Sequence, residues 1–218
     1  TATAGGSSVT LSGSGTAFGT NGWNSSATSV ATISASGEVT PGAAGTTDIT
    51  FTNSNGCTET ATFTVTSGPT ITSSVSEVCV NGSTVLTATP SGGTWTTTNG
   101  TGSGSISSTG VFTGSSSGSV VVTYSKGGAS ATTTVTVNAL PVAPSSTSSI
   151  EYCKDATATA LTATASGGHT LVWYGTDGTT VLSGAPTPST GSVGSTNYYV
   201  AQQNTTTGCE GAKTTITV

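Results

Sequence analysis

The sequence predicts an all-β chain of three sandwiches in tandem. Three observations carry this: strands that alternate apolar and polar residues, a strand–turn–strand phrase written twice, and one Trp in every stretch of about 70–80 residues. The alternation is plain in TATFTVT at 60–66, where Ala61, Phe63 and Val65 share one face and threonines the other. It recurs in TTTVTV at 132–137 and TTITV at 214–218. Period two marks strands with one buried face, and Thr, being β-branched and polar, suits the wet one. No window has a helical period. Clusters of Gly, Ser, Asn and Pro separate the strands, as turns do.

The repeated phrase is ISASGEVTPGAAGTTDITF at 33–51 and ISSTGVFTGSSSGSVVVTY at 106–124. Gly37 and Gly110 fall where a hairpin needs positive φ, and Gly45 and Gly118 end the next turn. A second echo pairs CVNGSTVLTATPSGG from Cys79 with CKDATATALTATASGG from Cys153. Trp23, Trp95 and Trp173 therefore belong to three units, read as 1–67, 68–138 and 139–218. Prolines at the joints, Pro69, Pro141 and Pro144, stiffen them and predict a semi-rigid rod.

Composition narrows the function. Charged residues make up 5% of the 218, with three Lys, no Arg and a net charge of −5. There is no basic stripe for nucleic acid, and no apolar run near the roughly 20 residues that would insert into a membrane. Without an initiator Met or a signal-like start, the chain reads as a mature or excised segment.

Few residues suggest chemistry. GSSSG at 114–118 fits a nucleophile elbow centred on Ser116, but no helix follows and the first unit has GAAG there. His169, the single histidine, is expected in an exposed loop. Glu38, Asp48, Glu151 and Asp155 do not form a calcium-loop pattern, although Glu151 and Asp155 flank Cys153. No catalytic, metal or cofactor residues are assigned. The tryptophans are expected in the cores, and Tyr198 in a tyrosine-corner-like structural role. Tyr174, beside an inward Trp173, is expected to face outward, where it is the candidate for stacking on surface glycans. Asn24, Asn81, Asn99 and Asn204 lie in N-x-S/T sequons.

Cys153 opens the third unit and Cys209 precedes its last strand, so the two are expected to bond within it and add about 3–4 kcal/mol. By the repeats, Cys79 matches Cys153 and Cys57 matches Cys209, with Thr3 at the first position of unit one and KGG near the second position of unit two. Cys57 and Cys79 are thus half-pairs: free thiols, a bridge to each other, or a bridge between chains.

The run VATISASGEVTPGAAGTTDITFT and its echo GSISSTGVFTGSSSGSVVVTYS resemble bacterial Ig-like group 2 modules. The third unit, from YCKDATATALTAT to GCEGAKTTITV, is similar to Ig-like modules of Bacteroidota surface proteins exported by the type IX system, gliding adhesins among them. The resemblance implies three tandem Ig-like sandwiches in an extracellular, cell-surface stalk, adhesin or filament without enzymatic activity. Expected partners are neighbouring Ig-like domains of a longer chain or copies of itself. A glycan-binding accessory module is a further alternative.

Overall fold

The computed structural model describes all residues, Thr1–Val218, and contains strands and turns but no helix. Every strand pairing stays within 2–66, 70–138 or 145–217, so three separate sandwiches follow one another. In the first, Ala2–Thr3, Thr58–Thr66, Gly45–Thr52 and Trp23–Ser25 form one sheet, and Val9–Thr10, Glu38–Pro41 and Ala31–Ile33 the other. In the second, Ser103–Ile106, Val111–Ser116, Ser83–Thr89 and Thr70–Ser73 face Thr94–Asn99, Gly118–Lys126, Ala129–Asn138 and Glu77–Cys79. The third keeps a full sheet of Val181–Leu182, His169–Tyr174, Asn197–Asn204 and Thr214–Thr217. Its other face is mostly loop, with the pair Ser145–Ser146 and Ala163–Thr164.

Each sandwich has its own core. Val39, Ile49, Phe63 and Val65 fill the first, Leu86, Phe112, Val122 and Val135 the second, and Leu161, Trp173, Val200 and Ile216 the third. The alternating faces fall as expected, except that Ala61 lies exposed, beyond the cover of the opposite sheet. The accessible surface is 11564 Å². A compact globule of this mass exposes about 8,900 Å² and three separate thirds about 12,000 Å². The joints therefore bury little.

The repeated phrase is repeated structure. Gly37 and Gly110 adopt φ of 82° and 85°. A Cβ at Gly37 would run into Leu11 O, and one at Gly110 into Leu86 O. Ser34 Oγ accepts from Glu38 N at 3.1 Å, and Ser107 Oγ from Val111 N at 3.0 Å. The second echo holds as well. Gly5, Asn81 and Asp155 have φ of 70°, 65° and 62°. Behind them Thr3 O, Cys79 O and Cys153 O accept from Gly6 N, Gly82 N and Ala156 N. Thr3, Cys79 and Cys153 thus hold one position in three sandwiches.

Candidate functional site

Cys79 and Cys209 are disulfide-bonded, with Cα atoms 5.6 Å apart and 130 residues between them in sequence. Cys57 and Cys153 are exposed free thiols. This corrects the expected Cys153–Cys209 pair, and Cys79 is not a half-pair. The physical reason is the length of one strand. The first-position residue sits beside the end of the last strand, as Cys79 does in register with Asn138. The second-position residue sits at the hairpin tip before that strand begins, as Cys57 does before Thr58–Thr66. Last strands of nine and ten residues in the first two sandwiches set these poles about 30 Å apart, and in the third the run from Cys209 through Thr214–Thr217 to Val218 separates them, whereas disulfide Cα atoms lie within about 7 Å. Two such cysteines meet only across a joint, where the pole of one sandwich touches the opposite pole of the next.

The hairpin tips are built alike. Asn53 N donates to Cys57 O at 3.0 Å, and Asn204 N to Cys209 O at 2.9 Å. Asn53 Oδ1 accepts from Asn55 N, and Asn204 Oδ1 from Thr206 N. Gly56 and Gly208, one residue before each cysteine, have φ of 82° and 71°. In the second sandwich the tip shortens to Gly127 and Gly128 between paired Lys126 and Ala129.

The first joint reproduces the second without sulfur. A Cβ on Gly127 would lie 3.9 Å from Thr3 Cβ, close to the roughly 3.8 Å typical across a disulfide. Beside it Gly128 packs on Ser7, and Gly6 on Gly127 O. At the second joint the linker is also held by polar contacts. Gln202, fully buried, donates from Nε2 to Val142 O at 2.8 Å and accepts at Oε1 from Ser166 N at 2.8 Å. Thr214 Oγ1 donates to Pro144 O at 2.7 Å. Gln202 gives no sign of this role in the sequence, where it reads as one more polar strand residue.

The other candidates are dispersed. Ser116 is an exposed strand end within 2.7 Å of Ser103 Oγ, and His169 lies in another sandwich. His169 is the first residue of a strand rather than a loop residue, in register with Asn204, and its Nδ1 lies 2.9 Å from Gly167 O. Glu38, Asp48, Glu151 and Asp155 are all exposed, and no three His, Cys, Asp or Glu side chains gather. Trp173 is buried. Trp23 and Trp95 are partly buried, each tilted on an aromatic neighbour, Phe51 or Tyr124, at 4.7 Å between centroids.

Tyr174 departs from expectation. It is buried, not outward, donating its hydroxyl to Glu210 with Lys213 Nζ 3.5 Å from its ring centroid. The long, irregular connection between Asn197–Asn204 and Thr214–Thr217 brings Glu210 and Lys213 over the ring. Burial, followed by the Glu210 carboxylate, pushes the phenol up to about 12. Tyr198 packs against the third core, but the bond that ties an upstream turn belongs to Tyr124. Its hydroxyl donates to Pro90 O at 2.8 Å and accepts from Gly93 N at 2.6 Å.

Residues 141–218 match the family model described as Ig-like domain, CHU_C associated. The third sandwich is similar to the Ig-like domains of that family. No curated protein matches the chain. Among solved structures, the tandem Ig-like chain is similar to S-layer protein SbsC domains 4 and 5, at 20% identity and TM-score 0.27 over 57% of this chain and 74% of that one. It is similar to extracellular domains 3–5 of Drosophila OTK, at 9% identity and TM-score 0.32 over 86% and 76%. It is also similar to titin domains A168–A170, at 13% identity and TM-score 0.29 over 84% and 78%.

Proposed function

We propose that this Ig-like chain is a non-catalytic, load-bearing segment of an extracellular bacterial surface protein, a stalk or a run of adhesin repeats of the kind exported by the type IX system in Bacteroidota. The observation that supports this reading most is the position of the Cys79–Cys209 bond. It joins the start of the second sandwich to the end of the third, across 130 residues. Tension applied along the chain enters near Thr70, crosses through sulfur, and leaves near Val218. Most of both cores lies outside that covalent path, which takes in only Val78 of the second cluster and Ile216 of the third. A bond that persists also implies an oxidising compartment. The glycan-binding alternative loses the residue it relied on, because Tyr174 is buried.

Single-molecule stretching tests the reading. Oxidised chain should release contour length from the first sandwich and, beyond it, only from the short stretches 70–79 and 209–218 outside the ring. With reductant, roughly 450 Å more should appear as the 130-residue span becomes extensible. Equal extension with and without reductant would remove the mechanical argument. Antibodies to the chain should label intact cells of the source organism, and labelling only after permeabilisation would place the chain elsewhere.

A further inference from the structure

We propose that the strand Thr94–Asn99 of the second sandwich is a docking edge for a second copy of this chain, the two strands pairing antiparallel about a two-fold axis at Thr97. The strand is the outermost of its sheet and pairs on one side only, with Gly118–Lys126. Antiparallel ladders alternate bonded and non-bonded pairs. Gly100 N donates to Ser119 O, one step beyond the Asn99–Val120 pair. The bonded pairs within the strand are therefore Thr98 with Val121, Thr96 with Thr123 and Thr94 with Ser125. Trp95, Thr97 and Asn99 turn their N–H and C=O groups the other way, off the edge, where no group of the chain bonds them.

Edge strands are ordinarily blunted by charge, proline, a bulge or a covering segment. This one reads TWTTTN, without charge, proline or bulge, and no strand covers it. The edge strand beside it, Ser103–Ile106, has a register break between Ser103 and Gly104. The corresponding strands of the other sandwiches are protected. In the first, Trp23–Ser25 is only three residues long, and Asn21 Oδ1 accepts from Trp23 N at 3.0 Å. In the third, Val181–Leu182 pairs with Trp173 and Tyr174. Thr97 Oγ1 donates to Gly104 O at 3.3 Å and Asn99 Oδ1 accepts from Gly104 N at 3.2 Å, so side chains hold the bare strand in shape. The second sandwich has a neighbour at each pole, and this edge lies on the flank between them.

The pattern of free groups selects the occupant. Three outward residues centred on Thr97 are their own complement under a two-fold axis. Trp95 bonds Asn99 of the second copy, Thr97 bonds Thr97, and Asn99 bonds Trp95. The same register sets Thr96 beside Thr98 of the second copy on the wet face, and no charge meets another. Because strands run from pole to pole, the pairing lays two rods side by side in opposite directions. For chains displayed as stalks, that is the geometry of copies reaching from facing cells. This use rests on the stalk reading, and the pairing itself does not.

The test uses the whole 218-residue chain with Cys57→Ser and Cys153→Ser, so that no exposed thiol joins copies. Sedimentation at high concentration should show dimers and nothing larger, since each copy has one such edge. Thr97→Pro removes the central donor at an edge position that tolerates proline, and should leave monomers with an unchanged circular dichroism spectrum. Thr97→Val also loses the hydroxyl but keeps that donor, and should still dimerise. With oxidised glutathione, Thr96→Cys and Thr98→Cys mixed one to one should cross-link, because the pairing sets these Cα atoms about 4.5 Å apart, within disulfide reach. Monomers at every concentration, or undiminished dimers from Thr97→Pro, would overturn the proposal. So would cross-linked dimers from Thr96→Cys alone in the same yield as from the mixture, the mark of a different register.

Discussion

Cys79→Ser removes the covalent link across the second joint, and the fold allows its effect to be worked out. When the third sandwich alone unfolds, the second still holds Cys79 beside Asn138, where the linker begins. The bond then closes a loop of about 70 residues, which chain entropy values at about 4.4 kcal/mol. When the second alone unfolds, the third holds Cys209 near the linker, because Gly211 packs on Pro141. That loop of about 60 residues is worth about 4.2 kcal/mol. When both unfold, the 130-residue loop is worth only about 5 kcal/mol. The second unfolding is therefore easier by about 3–4 kcal/mol once the first has occurred. The bond stabilises each sandwich and couples the two.

Scanning calorimetry should show the second and third sandwiches of the oxidised protein melting together. In Cys79→Ser they should separate into two transitions, each lower by about 15–30 °C, with the first sandwich unchanged. Reductant on wild type should give the same result without a substitution. The reasoning is refuted if the oxidised sandwiches already melt independently, or if either loses less than about 1 kcal/mol.

Gly37→Ala and Gly110→Ala should each cost about 2–3 kcal/mol in their own sandwich, by nearly the same amount, because both force a Cβ onto a carbonyl at positive φ; separate thermal melts of the two variants check this. Tyr124→Phe strips the hydroxyl that holds Pro90 O and Gly93 N, and chemical denaturation should show a loss of about 1–3 kcal/mol in the second sandwich. Thr3→Cys with Gly127→Cys should close a disulfide at the first joint on oxidation, read as two fewer alkylatable thiols by intact mass. Because the Tyr174 pKa is raised on folding, to about 12, the stability it contributes is full below pH 10 and declines as pH rises toward 12. Spectrophotometric titration should show one tyrosine ionising late in the folded chain, and Glu210→Gln should bring it earlier.

The fold was largely legible because it is carried by local rules. Gly37 and Gly110 announce the same hairpin, and Phe63 and Val135 announce the same buried face. The positional equivalence of Thr3, Cys79 and Cys153 was legible too. The disulfide partner was not, although the strand that separates the poles was written out as TTTVTV and TTITV. What misled was pairing by unit, as if a staple must lie inside the domain that it stabilises. Tyr174 failed for a different reason. Strand alternation assigns it an outward face, but alternation says nothing of what the long connection to Thr214–Thr217 lays over that face. Gln202 was equally silent, since its role depends on a linker 60 residues away in sequence.

The bond that crosses the second joint also changes what it means to cut the chain. It has no Arg, and its only lysines are Lys126, Lys154 and Lys213, of which the first two lie between Cys79 and Cys209. A protease that cleaves after either one opens a ring rather than severing a tether. Both pieces stay joined through sulfur, and at Lys126 the paired strands Gly118–Lys126 and Ala129–Asn138 hold the new ends in register. The exception, Lys213, is engaged with the Tyr174 ring and with Gly178 O at 2.7 Å. Such a segment can be nicked within that ring and remain one molecule, and only a reducing gel would reveal the wound.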